Sequence, residues 1–173
     1  MNAGPPQSEQ ERPAAGWSGW GPIMWVLAAA GFSLAIGHAP SRGLLLIDAG
    51  VGIATASAYA AYRGNMGDAA WCFPYGVWSA AAFALLAGAS RAAPGLPGGG
   101  FIGGGSLSAA GMVLLIRGGA TLLLAWPYAS RVLGMHRQPL WSEDEPVLYL
   151  TAVTIVAFFV VDAAVVLLAG LRS

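Results

Sequence analysis

Three charged residues stand inside otherwise apolar runs: Asp48, Arg117 and Asp162. A charged side chain at the centre of a membrane helix costs roughly 2.5–3.5 kcal/mol on insertion scales, so it survives by finding a partner or by having a task. Two carboxylates and one guanidinium offer two kinds of chemistry. As a buried ion pair they fix how helices register against one another. With one acid in excess of the base, they form a proton- or ion-handling site, or the polar floor of a ligand pocket. The expected arrangement is a buried polar cluster of Arg117 with Asp48, Asp162 or both.

The other residue types that do chemistry give weaker signals. His38 and His136 fall at opposite ends of the apolar runs, whereas a metal site needs several converging ligands. The SEDE turn, Ser142 to Glu145, reads as a solvated acidic cap ahead of Pro146, which suits the first turn of a helix. GGGFIGGG has phosphate-loop glycines but neither the Lys-Ser/Thr ending nor a preceding strand. The one cysteine, Cys72, excludes an internal disulfide and reads as a small packing residue. No catalytic residue, metal ligand or cofactor is assigned, and no Ser-His-Asp or Cys-His arrangement follows from the spacing.

The elements that must position the three charges are membrane helices. The chain has 173 residues, of which 57% are hydrophobic and only 9% charged, with mean hydropathy +0.64. A soluble domain carries about 25% charged residues to keep its surface wet. Net charge is zero, which argues against nucleic acid as a partner. The surface must face lipid. The expected fold is an all-α integral membrane bundle of about five transmembrane helices, with four as the alternative. Residues 1–21 read as a flexible polar tail rich in Pro and Gly. Residues 22–171 form one transmembrane domain with spans at about 22–38, 44–62, 69–90, 106–130 and 147–171. Each span is near the roughly 20 residues a bilayer core requires. GHAPSRG, RGNMGD and the Gly-rich stretch 91–105 break them, and the longest loop, 131–146, holds the largest share of the charge outside the spans.

Alternating spans set the depths of the charges. At about 1.5 Å per residue, Arg117 lies near the middle of span 4, Asp162 roughly 4–5 Å from the middle of span 5, and Asp48 roughly 7–8 Å from the middle of span 2. Both acids are displaced toward the face opposite the tail. Gly50, Gly52, Gly118 and Gly119 flank Asp48 and Arg117 and permit close helix approach. All eight basic residues are Arg. The tail side holds Arg12, Arg63, Arg131 and Arg137, and the other side Arg42, Arg91 and Arg172, a small bias toward an inside N-terminus. Every Trp and Tyr falls on the tail side, from Trp17, Trp20 and Trp25 through Tyr59, Tyr62, Trp71, Tyr75, Trp78, Trp126, Tyr128, Trp141 and Tyr149. That reads as a one-sided aromatic belt at headgroup depth, or as an aromatic-lined pocket for a lipid or isoprenoid tail.

LIDAGVGI in span 2 is echoed by VVDAAVVL in span 5, which runs the other way through the membrane, as inverted repeats do in transporters. LLLIDAGVGI and the run Trp141 to Leu150, WSEDEPVLYL, resemble segments of small uncharacterised multi-pass membrane proteins common in actinobacteria. The resemblance covers about a third of the chain; it implies a four-span bundle and carries no activity. The expected function is that of a non-enzymatic accessory or scaffold component of a bacterial inner membrane. The alternatives are a small ion- or proton-coupled transporter built on the Asp/Arg cluster, and a lipid- or isoprenoid-binding protein. The expected partners are the bilayer and either a second copy or another membrane protein.

Overall fold

The computed structural model of the chain describes residues 20–39, 41–64, 66–92, 107–134 and 145–171, with side chains omitted at 66–68, 88–92 and 107–115. The expectations placed on the tail, the Gly-rich stretch, His136, Trp17, Trp141 and most of the SEDE turn lie outside the described residues.

The described residues form five α-helices: α1 (Trp20–His38), α2 (Arg42–Tyr62), α3 (Cys72–Ala92), α4 (Leu107–Val132) and α5 (Glu145–Gly170). A 3-10 turn, Met66–Trp71, leads into α3. The chain is an all-α membrane bundle. α1, α2, α5 and the segment Ala69–Ala87 are long and apolar enough to cross a bilayer. α4 is as long as α5 but carries Arg117 and Arg131. The helix boundaries fall within a few residues of those expected from composition.

Local chemistry explains where the helices start and stop. The Ser41 side chain accepts a hydrogen bond from the Leu44 amide at 3.3 Å and caps α2. Gly64 takes φ 69° and Gly134 φ 71°, the left-handed conformation that closes a helix and that glycine adopts without strain. Pro74 falls in the first turn of α3, where its missing amide proton costs nothing.

α3 is the central helix, packed along α1, α2 and α4, while α5 closes against α2 and α4. Of the four segments apolar enough to cross a bilayer it is the most buried, and α1 and α5 are the least buried. Leu34, Leu46, Val156, Val160, Val166 and Leu167 all point outward. Contiguous apolar exposure of this extent is foreign to soluble monomers and is what lipid requires.

Packing relies on small residues where helices cross. A Cβ at Gly52 would come within 2.9 Å of the Gly76 Cα, so α2 and α3 touch backbone to backbone there. Gly118 faces Ile155 and Phe159 on α5. Gly50 and Gly119 face nothing within 4 Å, so only two of the four glycines singled out from the sequence serve close approach.

The aromatic side is mostly core. Tyr75 is completely buried and its hydroxyl donates to Thr154 Oγ1 at 2.9 Å, tying α3 to α5. Tyr128 donates to the Met24 carbonyl at 2.7 Å, tying α4 to α1, and stacks on Trp78 at 5.4 Å. The Trp78 indole donates to the Leu124 carbonyl at 2.8 Å. Trp20, Trp25, Tyr62 and Tyr149 remain exposed, as a belt requires. The one-sided aromatic order is therefore a packed core with a belt around it, because the Tyr75 and Tyr128 hydroxyls and the Trp78 indole find partners on neighbouring helices, although the buried Trp126 indole does not. Tyr128→Phe is expected to lower stability by about 1 kcal/mol, the net worth of one hydrogen bond, measured by thermal melting in detergent.

Candidate functional site

The three charges converge. Arg117 Nη1 and Asp162 Oδ2 form an ion pair at 3.1 Å between α4 and α5. The pair is largely enclosed, with side-chain exposures of 18% and 20%. Arg117 Nε also donates to the Phe83 carbonyl on α3 at 2.9 Å. The guanidinium lies over the Phe83 ring, 3.4 Å from its centroid, with the Phe159 ring at 5.5 Å. One side chain thus binds a carboxylate, a backbone carbonyl and an aromatic face, joining three helices.

Asp48 takes no part in that pair. It is 2% exposed, and its Oδ1 has no hydrogen-bond partner. Asp162 Oδ1 is likewise buried and unpartnered. Asp48 stands within electrostatic reach of both Arg117 and Asp162. A cavity of about 110 Å³ lies among the three, walled also by Leu45, Ala84, Ala87 and Val166. Ala39 and Ser41, at the turn between α1 and α2, line its other end. From Ser41 to Asp48 is seven residues, about 10 Å along α2. The cavity therefore extends from the membrane face opposite the tail inward to the acids. A water molecule occupies about 30 Å³ in the liquid, so the cavity has room for about three.

Helix geometry sets this arrangement. Asp48 follows Leu45 and precedes Ala49 and Gly52 on the inward face of α2. Asp162 lies one turn beyond Phe158 and Phe159 on α5. The two segments that echo each other in sequence thus place their aspartates in the lining of one cavity. Two contributors carried no signal in the sequence. The Phe83 carbonyl is invisible because every residue has one; it becomes a ligand for Arg117 only through where α3 passes. Gly76, which lets α3 approach α2, sits in a span with no charge to draw attention to it.

Two other residues singled out earlier, His38 and Cys72, fall within the described helices. His38 hydrogen-bonds the Leu34 carbonyl at 2.9 Å at the end of α1. Cys72 is buried in the tail-side core. Chemically, the Asp48–Arg117–Asp162 arrangement is a largely desolvated site with one ion pair formed and one further carboxylate outside it, which a proton or a cation can neutralise. No protein-family model, no curated protein and no solved structure matches this chain, so the reading of the site rests on its own geometry.

Proposed function

We propose that this chain is a small, non-enzymatic multi-pass protein of a bacterial inner membrane that takes up and releases a proton or small monovalent cation at Asp48, as an ion-coupled carrier does. The observation that carries this reading is the unpartnered Asp48 carboxylate oxygen in a cavity that leads to the membrane face. A purely structural ion pair accounts for Arg117 and Asp162. It leaves the second acid unexplained, since a buried carboxylate oxygen without a hydrogen bond is costly in a fold. When all three groups are ionised the site carries one excess negative charge, and one proton or one monovalent cation neutralises it. The tail and the C-terminal end of α2 are proposed to face the cytoplasm, on the small Arg bias. Kinship with the small actinobacterial multi-pass proteins belongs to the same proposal.

The test is infrared difference spectroscopy of the lipid-reconstituted protein during a pH titration, on wild type and on Asp48→Asn. A carboxylic C=O band that grows and fades with pH, and that is missing from Asp48→Asn, is the expected result. A spectrum identical in the two proteins would overturn ion handling at this residue.

A second reading, a helical scaffold or accessory subunit, is favoured by a different observation: Arg117 ties α3, α4 and α5 together through one side chain. Under that reading Asp48→Asn raises the melting temperature and alters nothing else.

A further inference from the structure

α2 and α5 run antiparallel, and a second concave feature lies between them at the end away from Asp48. It is a groove of about 800 Å³, inside the range of roughly 300–1,000 Å³ typical of small-molecule sites. Tyr59, Tyr62 and Tyr149 line it, with Thr55 deeper and Arg63 and Glu145 also in its wall. Tyr59 is the hinge of the aromatic group, 6.3 Å from the Tyr62 ring and 5.6 Å from the Tyr149 ring. Tyr62 is 83% and Tyr149 59% exposed, so these rings stand at the surface and not in the core.

The charges are placed by helix ends. Arg63 caps the C-terminus of α2 and Glu145 lies in the first turn of α5, each where the helix dipole favours its sign. Antiparallel packing then brings one cation and one anion to the same groove. Among the described residues no ion pair joins them. From Arg63 to Thr55 is eight residues, so the groove runs about 12 Å along α2 from a charged end into an apolar one. Exposed tyrosines mark the charged end as headgroup depth.

We infer that this groove binds one zwitterionic aminophospholipid. Arg63 holds the phosphate and Glu145 the ammonium group, while the first part of an acyl chain lies along the tyrosines toward Thr55. The pairing of signs selects the headgroup. A purely anionic lipid satisfies Arg63 but brings no cation to Glu145. A choline headgroup brings a cation that donates no N–H bond. A neutral isoprenoid meets neither charge.

The experiment is native mass spectrometry of the full-length protein in detergent, offered phosphatidylethanolamine, phosphatidylcholine and phosphatidylglycerol with identical acyl chains. Phosphatidylethanolamine should be retained over the other two by about tenfold, the size of one charge-assisted hydrogen bond. Glu145→Gln should remove its advantage over phosphatidylcholine, and Arg63→Gln should weaken retention of all three. Both residues are exposed, and an unchanged melting temperature shows that the variants fold. Free phosphoethanolamine should fail to displace the bound lipid, because it lacks the chain. Equal retention of the three lipids, preference for phosphatidylglycerol, a preference that survives Glu145→Gln, or displacement by free phosphoethanolamine would each overturn the inference.

Discussion

Arg117→Leu is expected to be the most damaging single substitution among the three intramembrane charges. It leaves Asp162 without its 3.1 Å partner and removes the donor that reaches the Phe83 carbonyl. Breaking a buried pair by deleting one member costs on the order of 3–5 kcal/mol, because the surviving charge remains desolvated and alone. Here the loss is compounded. Asp48 and Asp162 would then face each other across a cavity of about 110 Å³ with no compensating cation. Denaturation in mixed micelles should show Arg117→Leu unfolding far earlier than wild type. The companion measurement gives the cause. Asp48→Asn and Asp162→Asn added to Arg117→Leu should restore most of the lost stability, since neutral amides demand no counter-charge. If the single variant melted like wild type, the cluster would have no energetic role. If the triple variant stayed as unstable as the single, the loss would be one of packing on Phe83 and Phe159 and not of charge.

The second large effect is expected at a residue with no functional group. A Cβ at Gly76 would fall on the Ile53 backbone nitrogen and within 2.9 Å of the Gly52 carbonyl carbon. Backbone cannot swing aside as a flexible side chain does, so the two helices must separate. Gly76→Ala should cost about 1–3 kcal/mol, the range for overpacking, and a larger side chain should prevent folding. Gly119→Ala is the control of opposite sign. Nothing lies within 4 Å of its Cβ position, so alanine should stabilise α4 by about 0.5–1 kcal/mol through its better helix propensity. Thermal melts of the two alanine variants, compared in the same detergent, test both the crossing and its sign. Similar shifts for both would show that α2 and α3 do not cross at Gly76.

These two sites also mark what could be read ahead of the structure. Asp48, Arg117 and Asp162 were legible because a charge in an apolar run is rare and costly, and because helical rise converts position in a span into depth. Similar depth brought them within reach of one another, and the observed Arg117–Asp162 pair lies among the combinations that reach allowed. Gly52 and Gly118 were legible as small residues near those charges, and they do sit at helix contacts. Gly50 and Gly119 looked the same in sequence and do not. A glycine carries no mark of which way its helix face points until neighbouring helices are in place. The aromatic bias divided in the same way. Its one-sidedness followed from span direction, but Tyr75 and Tyr128 proved to be core residues with hydroxyls bonded to other helices.

The amino-acid sequence by itself determined the solvent and the element type. With so few charged residues the chain must present its surface to lipid, and in lipid the backbone must satisfy its own hydrogen bonds, which helices do. It also determined where helices end, through Ser41, Gly64 and Gly134, and at what level along its own helix each charge stands. Tertiary structure alone decided that α3 is central, that Arg117 selects Asp162, and that Asp48 is left facing a cavity. It alone brought Arg63 and Glu145 to one groove. The physical reason is that depth is a property of a single helix, whereas partnership depends on the rotation of each helix about its axis and on which helices are neighbours. Those are set by the summed packing of many small contacts, none of which is large enough to be read from one residue.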